Sequence, residues 1–190
     1  MKWVAASVSD YKKDEYSKVY ASLSPSRKSR VDRYKREEDR TRSLLCEILL
    51  RRLLADSGEE KAVLETAENG KPFLKNSSLF ISMSHSYEMG VCVLSDKAIG
   101  IDIEKIRPIN LALIDRVCIE EEKEYVLSNA SEIGDIAENS SILERFYEVW
   151  TAKEAYFKKI GTGITDLKSV NILRLQREVI KLGDYIIGIV

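Results

Sequence analysis

Apolar positions recur along this chain with two periods, and the switch between them marks its elements. Over residues 38–55, Leu44, Leu45, Ile48, Leu49, Leu50, Leu53 and Leu54 cover a helical wheel nearly all round, which predicts a central helix. Gly58 follows as its stop signal. Arg42 shares a stripe with Leu45, Leu49 and Leu53, so it points towards the protein, beside Ser43 near a helix start that favours anions. Residues 141–160 predict a second long helix, ended by Gly161-Thr162-Gly163. Leu143, Phe146, Val149, Trp150, Phe157 and Ile160 form one apolar arc, and Glu144, Glu148 and Lys159 the solvated face. Glu154 lies inside the arc, where an acid needs a partner.

Shorter signals fill the rest. Residues 10–23 read as an amphipathic helix, and Ser24-Pro25 as the cap and first turn of another. Residues 111–117 and part of 119–138 read as helices, with a loop within 128–141. Residues 2–8, 63–66, 79–81, 90–94, 168–174 and 184–190 read as strands, 178–182 as a weaker one, and 68–72 as a turn. In Gly100-Ile101-Asp102-Ile103-Glu104 the period of two puts Asp102 and Glu104 on one face of a strand and the isoleucines on the other. Neighbouring carboxylates repel unless a cation or donors compensate. With Glu154 they would make an oxygen-rich site for a hard divalent cation. The competing reading pairs Asp102 internally with Lys153 or Lys158.

Composition bounds the function. The 190 residues carry 30 Lys plus Arg against 31 Asp plus Glu, a net charge of -1 that argues against generic nucleic-acid binding. No apolar run approaches membrane-spanning length and the start lacks a signal-peptide core, so neither membrane nor export is expected. Cys46, Cys92 and Cys118 are too widely spaced for a zinc or disulfide framework, and a cytoplasmic protein with reduced thiols is expected. Residues 26–36 are dense in Lys and Arg. That is a solvated face by default, or a phosphate site, since Arg27 and Arg30 lie one turn apart. The lone histidine, His85, sits in Ser84-His85-Ser86 at a strand end; such a residue is more often structural. The Glu120-to-Glu124 run is by default a solvated helix.

Taken in order, Ser24-Pro25 with Arg27, Arg30, Glu38-Asp39 and Arg42-Ser43, then Gly70-Lys71-Pro72, Ser84-His85-Ser86, Gly100-Ile-Asp-Ile-Glu104, and Trp150-Thr-Ala-Lys-Glu-Ala155 with Lys158 and Gly161-Thr-Gly163, resemble the 4′-phosphopantetheinyl transferases of the larger, single-chain, surfactin-synthetase-activating class. The resemblance implies an α+β fold of two similar α/β halves, a pseudo-dimer with the active site between them. Residues 1–100 would form the coenzyme A 3′-phosphate and adenine side, and 101–190 the side with the metal ligands and catalytic helix. It implies Mg²⁺-dependent transfer of 4′-phosphopantetheine from coenzyme A to a serine of an acyl or peptidyl carrier protein, by a monomer that releases adenosine 3′,5′-bisphosphate. Asp102, Glu104 and Glu154 would hold Mg²⁺, and Lys158 would reach the pyrophosphate. Arg27, Arg30, Arg42 and His85, with Ser43 and Ser84, would surround the 3′-phosphate, and Gly70, Lys71 and Pro72 would line the adenine. Trp150 and Lys153 would support the site. Glu122 matches an acid proposed as base towards the serine, with Glu154 as another candidate. Two departures stand out: Arg27 and Arg30 replace lysines, and the chain is short after Gly163, where a strand, a loop or an end extension of the second half is expected to be lost. Two other readings are a catalytically degenerate binding homologue and another Mg²⁺-dependent phosphoryl-group enzyme.

Overall fold

The computed structural model describes residues 1–128 and 139–190. The chain divides into two compact units, Met1–Ile99 and Gly100–Val190. The first runs β1 (Lys2–Ser7), α1 (Lys13–Ser22), α2 (Pro25–Asp32), α3 (Glu37–Ala55), β2 (Val63–Thr66), β3 (Pro72–Lys75), β4 (Phe80–Ser86) and β5 (Met89–Ser95). Its main sheet is antiparallel in the order β1-β5-β4, and β2 and β3 form a separate hairpin. Leu45, Leu49 and Leu53 of α3 pack with Ala6, Ile81, Cys92 and Leu94 of the sheet into one core, extended by Leu64 and Leu74 of the hairpin. A smaller core joins Leu23, Val31 and Leu44. Ser24 caps α2, its hydroxyl accepting from the Arg27 N–H at 3.4 Å, and Pro25 occupies the first turn, where its missing N–H is not needed.

The second unit runs β6 (Ile101–Lys105), α4 (Ala112–Val117), α5 (Glu120–Leu127), α6 (Ser140–Ile160), β7 (Glu178–Leu182) and β8 (Tyr185–Ile189). Its sheet is antiparallel, in the order β6-β8-β7. Asn139 caps α6 by accepting from the Ser141 and Ile142 N–H groups, and Gly161 closes it at φ 75°, a left-handed conformation that glycine adopts without a Cβ clash. Ile142, Phe146, Val149 and Ala152 of α6 meet Ile186 of the sheet and Ile114, Val117 and Val126 of the short helices in a single core. Most of the loop expected at 128–141 lies outside the described residues.

The two units share one plan. In each sheet the first strand pairs with the last, the last pairs with the one before it, and a long helix precedes that final hairpin. The sheet of the second half, where loss of a strand, a loop or an end extension is expected, has three strands like the first. Two local expectations change. Residues 168–174 are not a strand but two 3₁₀ turns, Leu167–Ser169 and Ile172–Arg174, because the Asp166 and Asn171 side chains accept from the backbone of Lys168 and Leu173 and turn the chain away from a ladder. The short strand β3 was not anticipated. No helix among the described residues is long and apolar enough to cross a membrane.

Candidate active site

Close packing of α6 on its sheet sets the geometry of the acids. A Cβ on Gly100 would stand 1.8 Å from the Ala155 carbonyl oxygen, and one on Gly188 would stand 2.7 Å from the Thr151 carbonyl carbon. Only glycines let the helix backbone rest on the strands at these points. Asp102, on β6, is directly paired with Gly188 and is 3% exposed. Its Oδ1 accepts from Lys158 Nζ of α6 at 2.6 Å. So of the two lysines weighed as internal partners, Lys158 is the one the structure places there.

Glu104 stands two residues further along β6, half-buried, and Glu154 stands one turn before Lys158, also half-buried. The Glu154 carboxyl is pushed up to about 7, by burial first and then by the negative charge of Asp102, with Lys158 opposing and Glu104 adding. Among the described residues, no three of His, Cys, Asp and Glu are gathered closely enough to enclose a metal ion. Trp150 is half-buried, 6.0 Å from Phe146 ring to ring, and supports α6 from its own face.

Glu122 does not join that set. Its side chain is fully buried, bound to Lys153 Nζ at 2.6 Å, and accepts from the N–H groups of Ile119 at 3.0 Å and Ile172 at 2.9 Å. Lys153 completes its shell with the carbonyls of Leu167 at 2.6 Å and Val170 at 3.0 Å. A carboxylate enclosed in this way cannot take a proton from an incoming hydroxyl, so the expected base role for Glu122 is corrected to a structural one. Sequence reading missed the partnership because a charge run on a helix resembles a solvated face. The only hint was Lys153 within the buried span of α6.

In the first unit, the basic residues separate into inner and outer members. Arg27 is buried, and its guanidinium binds Glu47 of α3 at 3.3 Å. The partner the structure gives Arg27, expected on the phosphate, is thus the interior carboxylate of Glu47. Arg30 is exposed, and its Nη1 donates to the Gly70 carbonyl at 3.4 Å, which ties α2 to the turn carrying Gly70, Lys71 and Pro72. Gly70 takes φ 83° there, and Lys71 and Pro72 are half-buried. Arg42 donates to Asp39 at 2.7 Å and, through Nε, to the Tyr87 carbonyl. Ser43 and Ser84 are buried, and His85 is half-buried on β4. The structure thus brings Arg30 to the Gly70 turn, and Arg42 to the β4–β5 turn two residues beyond His85.

Comparison with known proteins covers both units. Residues 10–95 match the family described as 4′-phosphopantetheinyl transferase, N-terminal, and residues 98–186 match the 4′-phosphopantetheinyl transferase superfamily. The chain is 33% identical to the 4′-phosphopantetheinyl transferase gsp of Aneurinibacillus migulanus over 76% of its own length and 58% of that protein's. It is 27% identical to the transferase Sfp of Bacillus subtilis over 80% and 66%, and 30% identical to the transferase HetI of Nostoc over 91% and 74%. The chain therefore spans less than two thirds of gsp and Sfp. Both halves of the fold, including the strand and helix that carry the acids, lie within matched sequence, and the chain belongs to the 4′-phosphopantetheinyl transferase superfamily.

Proposed function

We propose that this protein transfers 4′-phosphopantetheine from coenzyme A to a serine hydroxyl of an acyl or peptidyl carrier protein, with Mg²⁺, and releases adenosine 3′,5′-bisphosphate. The observation that carries this reading is the placement of Asp102 and Glu104 on β6 beside α6, which carries Glu154 and the Lys158 that binds Asp102 at 2.6 Å. The donor chemistry suits a hard cation, since all three are carboxylates; as they stand, Asp102 is paired with Lys158 at 2.6 Å and the three are not gathered around an ion. Asp102, Glu104 and Glu154 would hold Mg²⁺, which when bound neutralises charge on the pyrophosphate as its P–O bond breaks.

The chain's own residues supply the rest. Lys158, as a point charge, binds the pyrophosphate. Glu154 is the carboxylate that takes the serine proton as the hydroxyl oxygen attacks phosphorus. Arg30, Arg42 and His85 hold the ribose 3′-phosphate, with Ser43 and Ser84 behind them, and Gly70, Lys71 and Pro72 line the adenine. Arg30 at the Gly70 carbonyl links these two tasks within one unit. Three buried thiols suit a cytoplasmic setting.

The test is to incubate the protein with coenzyme A, Mg²⁺ and apo carrier protein and to weigh the carrier. A carrier heavier by one phosphopantetheine supports the reading. Binding of coenzyme A with an unchanged carrier points to a degenerate homologue, and cleavage of coenzyme A without carrier modification points to a hydrolase.

A further inference from the structure

The hairpin between β4 and β5 turns through two residues, Tyr87 and Glu88, because Ser86 pairs with Met89. Two-residue loops of this kind take primed turns, in which the first central position has positive φ and suits glycine. Tyr87 occupies that position at φ 51°. A bulky residue there is strained, and such strain persists where the surroundings over-determine it. Two contacts do so. Arg42 of α3 donates its Nε–H to the Tyr87 carbonyl, and the Val8 N–H donates to the Glu88 carbonyl at 2.8 Å.

Tyr87 is 40% exposed, in the turn that follows the buried Ser84 and Ser86. The fold therefore holds a partly exposed tyrosine in a backbone conformation that residue disfavours, by means of an arginine assigned above to the 3′-phosphate. His85 lies two residues away on the same turn-flanking strand. A rigid aromatic face next to phosphate-binding cations matches a nucleoside bearing a ribose phosphate.

We propose that Tyr87 is a specificity-determining contact for the nucleotide end of coenzyme A, its ring packing against the adenosine portion while Arg42 holds the Tyr87 backbone and grips the phosphate. The proposal rests on the coenzyme A reading above. The experiment compares Tyr87→Gly and Tyr87→Phe with wild type, using calorimetric titration of coenzyme A and of adenosine 3′,5′-bisphosphate, a thermal melt, and the carrier KM. Tyr87→Gly should melt at or above the wild-type temperature, because glycine accepts this φ, yet bind both ligands about five- to tenfold more weakly. Tyr87→Phe should bind like wild type. Unchanged affinities in Tyr87→Gly overturn the proposal while leaving the coenzyme A reading standing, as does a change confined to the carrier KM. A wild type that binds neither ligand overturns both. A Tyr87→Gly variant that melts far below wild type shows the ring to be structural and also overturns the proposal.

Discussion

Each half of the chain buries one ion pair between a short helix and its long helix, and the two pairs have opposite polarity. In the first unit the cation, Arg27, comes from α2 and the acid, Glu47, from α3, 3.3 Å apart. Glu47 has a second cation, Arg51, at 3.8 Å, and Arg27 Nε is buried with no hydrogen-bond partner among the described residues. In the second unit the acid, Glu122, comes from α5 and the cation, Lys153, from α6, 2.6 Å apart with neither side chain exposed. Two backbone N–H groups and two backbone carbonyls complete that pair. The difference teaches that the second pair is an enclosed joint binding α5, α6 and the 3₁₀ turns, whereas the first is looser. The halves differ again where the central strand carries a glycine. Gly90 pairs with Ala6 on the first strand, and Gly188 pairs with Asp102. Gly90 is near the start of β5 and Gly188 near the end of β8, so the two halves place this glycine at opposite ends of the central strand.

The largest expected effect tests the joints. Lys153→Met leaves Glu122 charged and enclosed, and should cost about 3–5 kcal/mol. Arg27→Met should cost only about 1–3 kcal/mol, since Arg51 remains near Glu47. Urea unfolding of both variants measures this, and equal losses break the contrast. Next come the glycines. A Cβ at 188 would meet helix backbone, but a Cβ at 90 would meet the end of the Leu45 side chain at 2.9 Å, which can rotate away. Gly188→Ala should therefore cost about 1–3 kcal/mol and disturb the acid set, with Gly90→Ala below that range. Thermal melts that rank them the other way refute the backbone-contact account.

A smaller stability effect, with a large activity effect, belongs to Asp102→Ala. Lys158 is about a third exposed and can turn to solvent, so the variant should lose only about 0–1 kcal/mol in EDTA while losing Mg²⁺-dependent transfer. A variant that melts far below wild type in EDTA yet still turns over coenzyme A with Mg²⁺ would sink the metal assignment. The smallest effect is in pH. Glu154 is raised from 4.5 to about 7 on folding, so the metal-free native state binds the extra proton between those values. Its favourable contribution is complete below about 4.5 and is lost as pH rises through about 7. Metal-free melts should therefore fall over that window, and Glu154→Gln should flatten the slope; an unchanged slope in the variant removes Glu154 as its source.

Much of this was legible in the chain because the signals were long or local. Both long helices show their period over many residues, Ser24 and Gly161 act within one turn, and the alternation at residues 101–104 is regular. What was not legible depended on partners far away in sequence. Val170 and Ile172 alternate like a strand, but the carbonyl of Val170 is turned inward by Lys153, and no sequence window contains that reason. β3 is four residues long, begins with proline and exposes Phe73 and Lys75, so its register with β2 is its main justification. Arg27 and Glu122 look like members of solvated charge runs; only their partners, Glu47 and Lys153, show them to be interior.

The pairing of β6 with β8 also has a consequence in time. Asp102 pairs with Gly188, so on the ribosome β6 waits for about eighty further residues before its partner exists. At roughly 5–20 residues per second, that is about 4–16 s during which a strand with isoleucines at alternate positions has its hydrogen-bonding edges open. Asp102 and Glu104 fall at the positions between. Unpaired strands interrupted by like charges resist pairing with copies of themselves. The two acids assigned to the metal thus guard the nascent strand for as long as it has nothing to pair with.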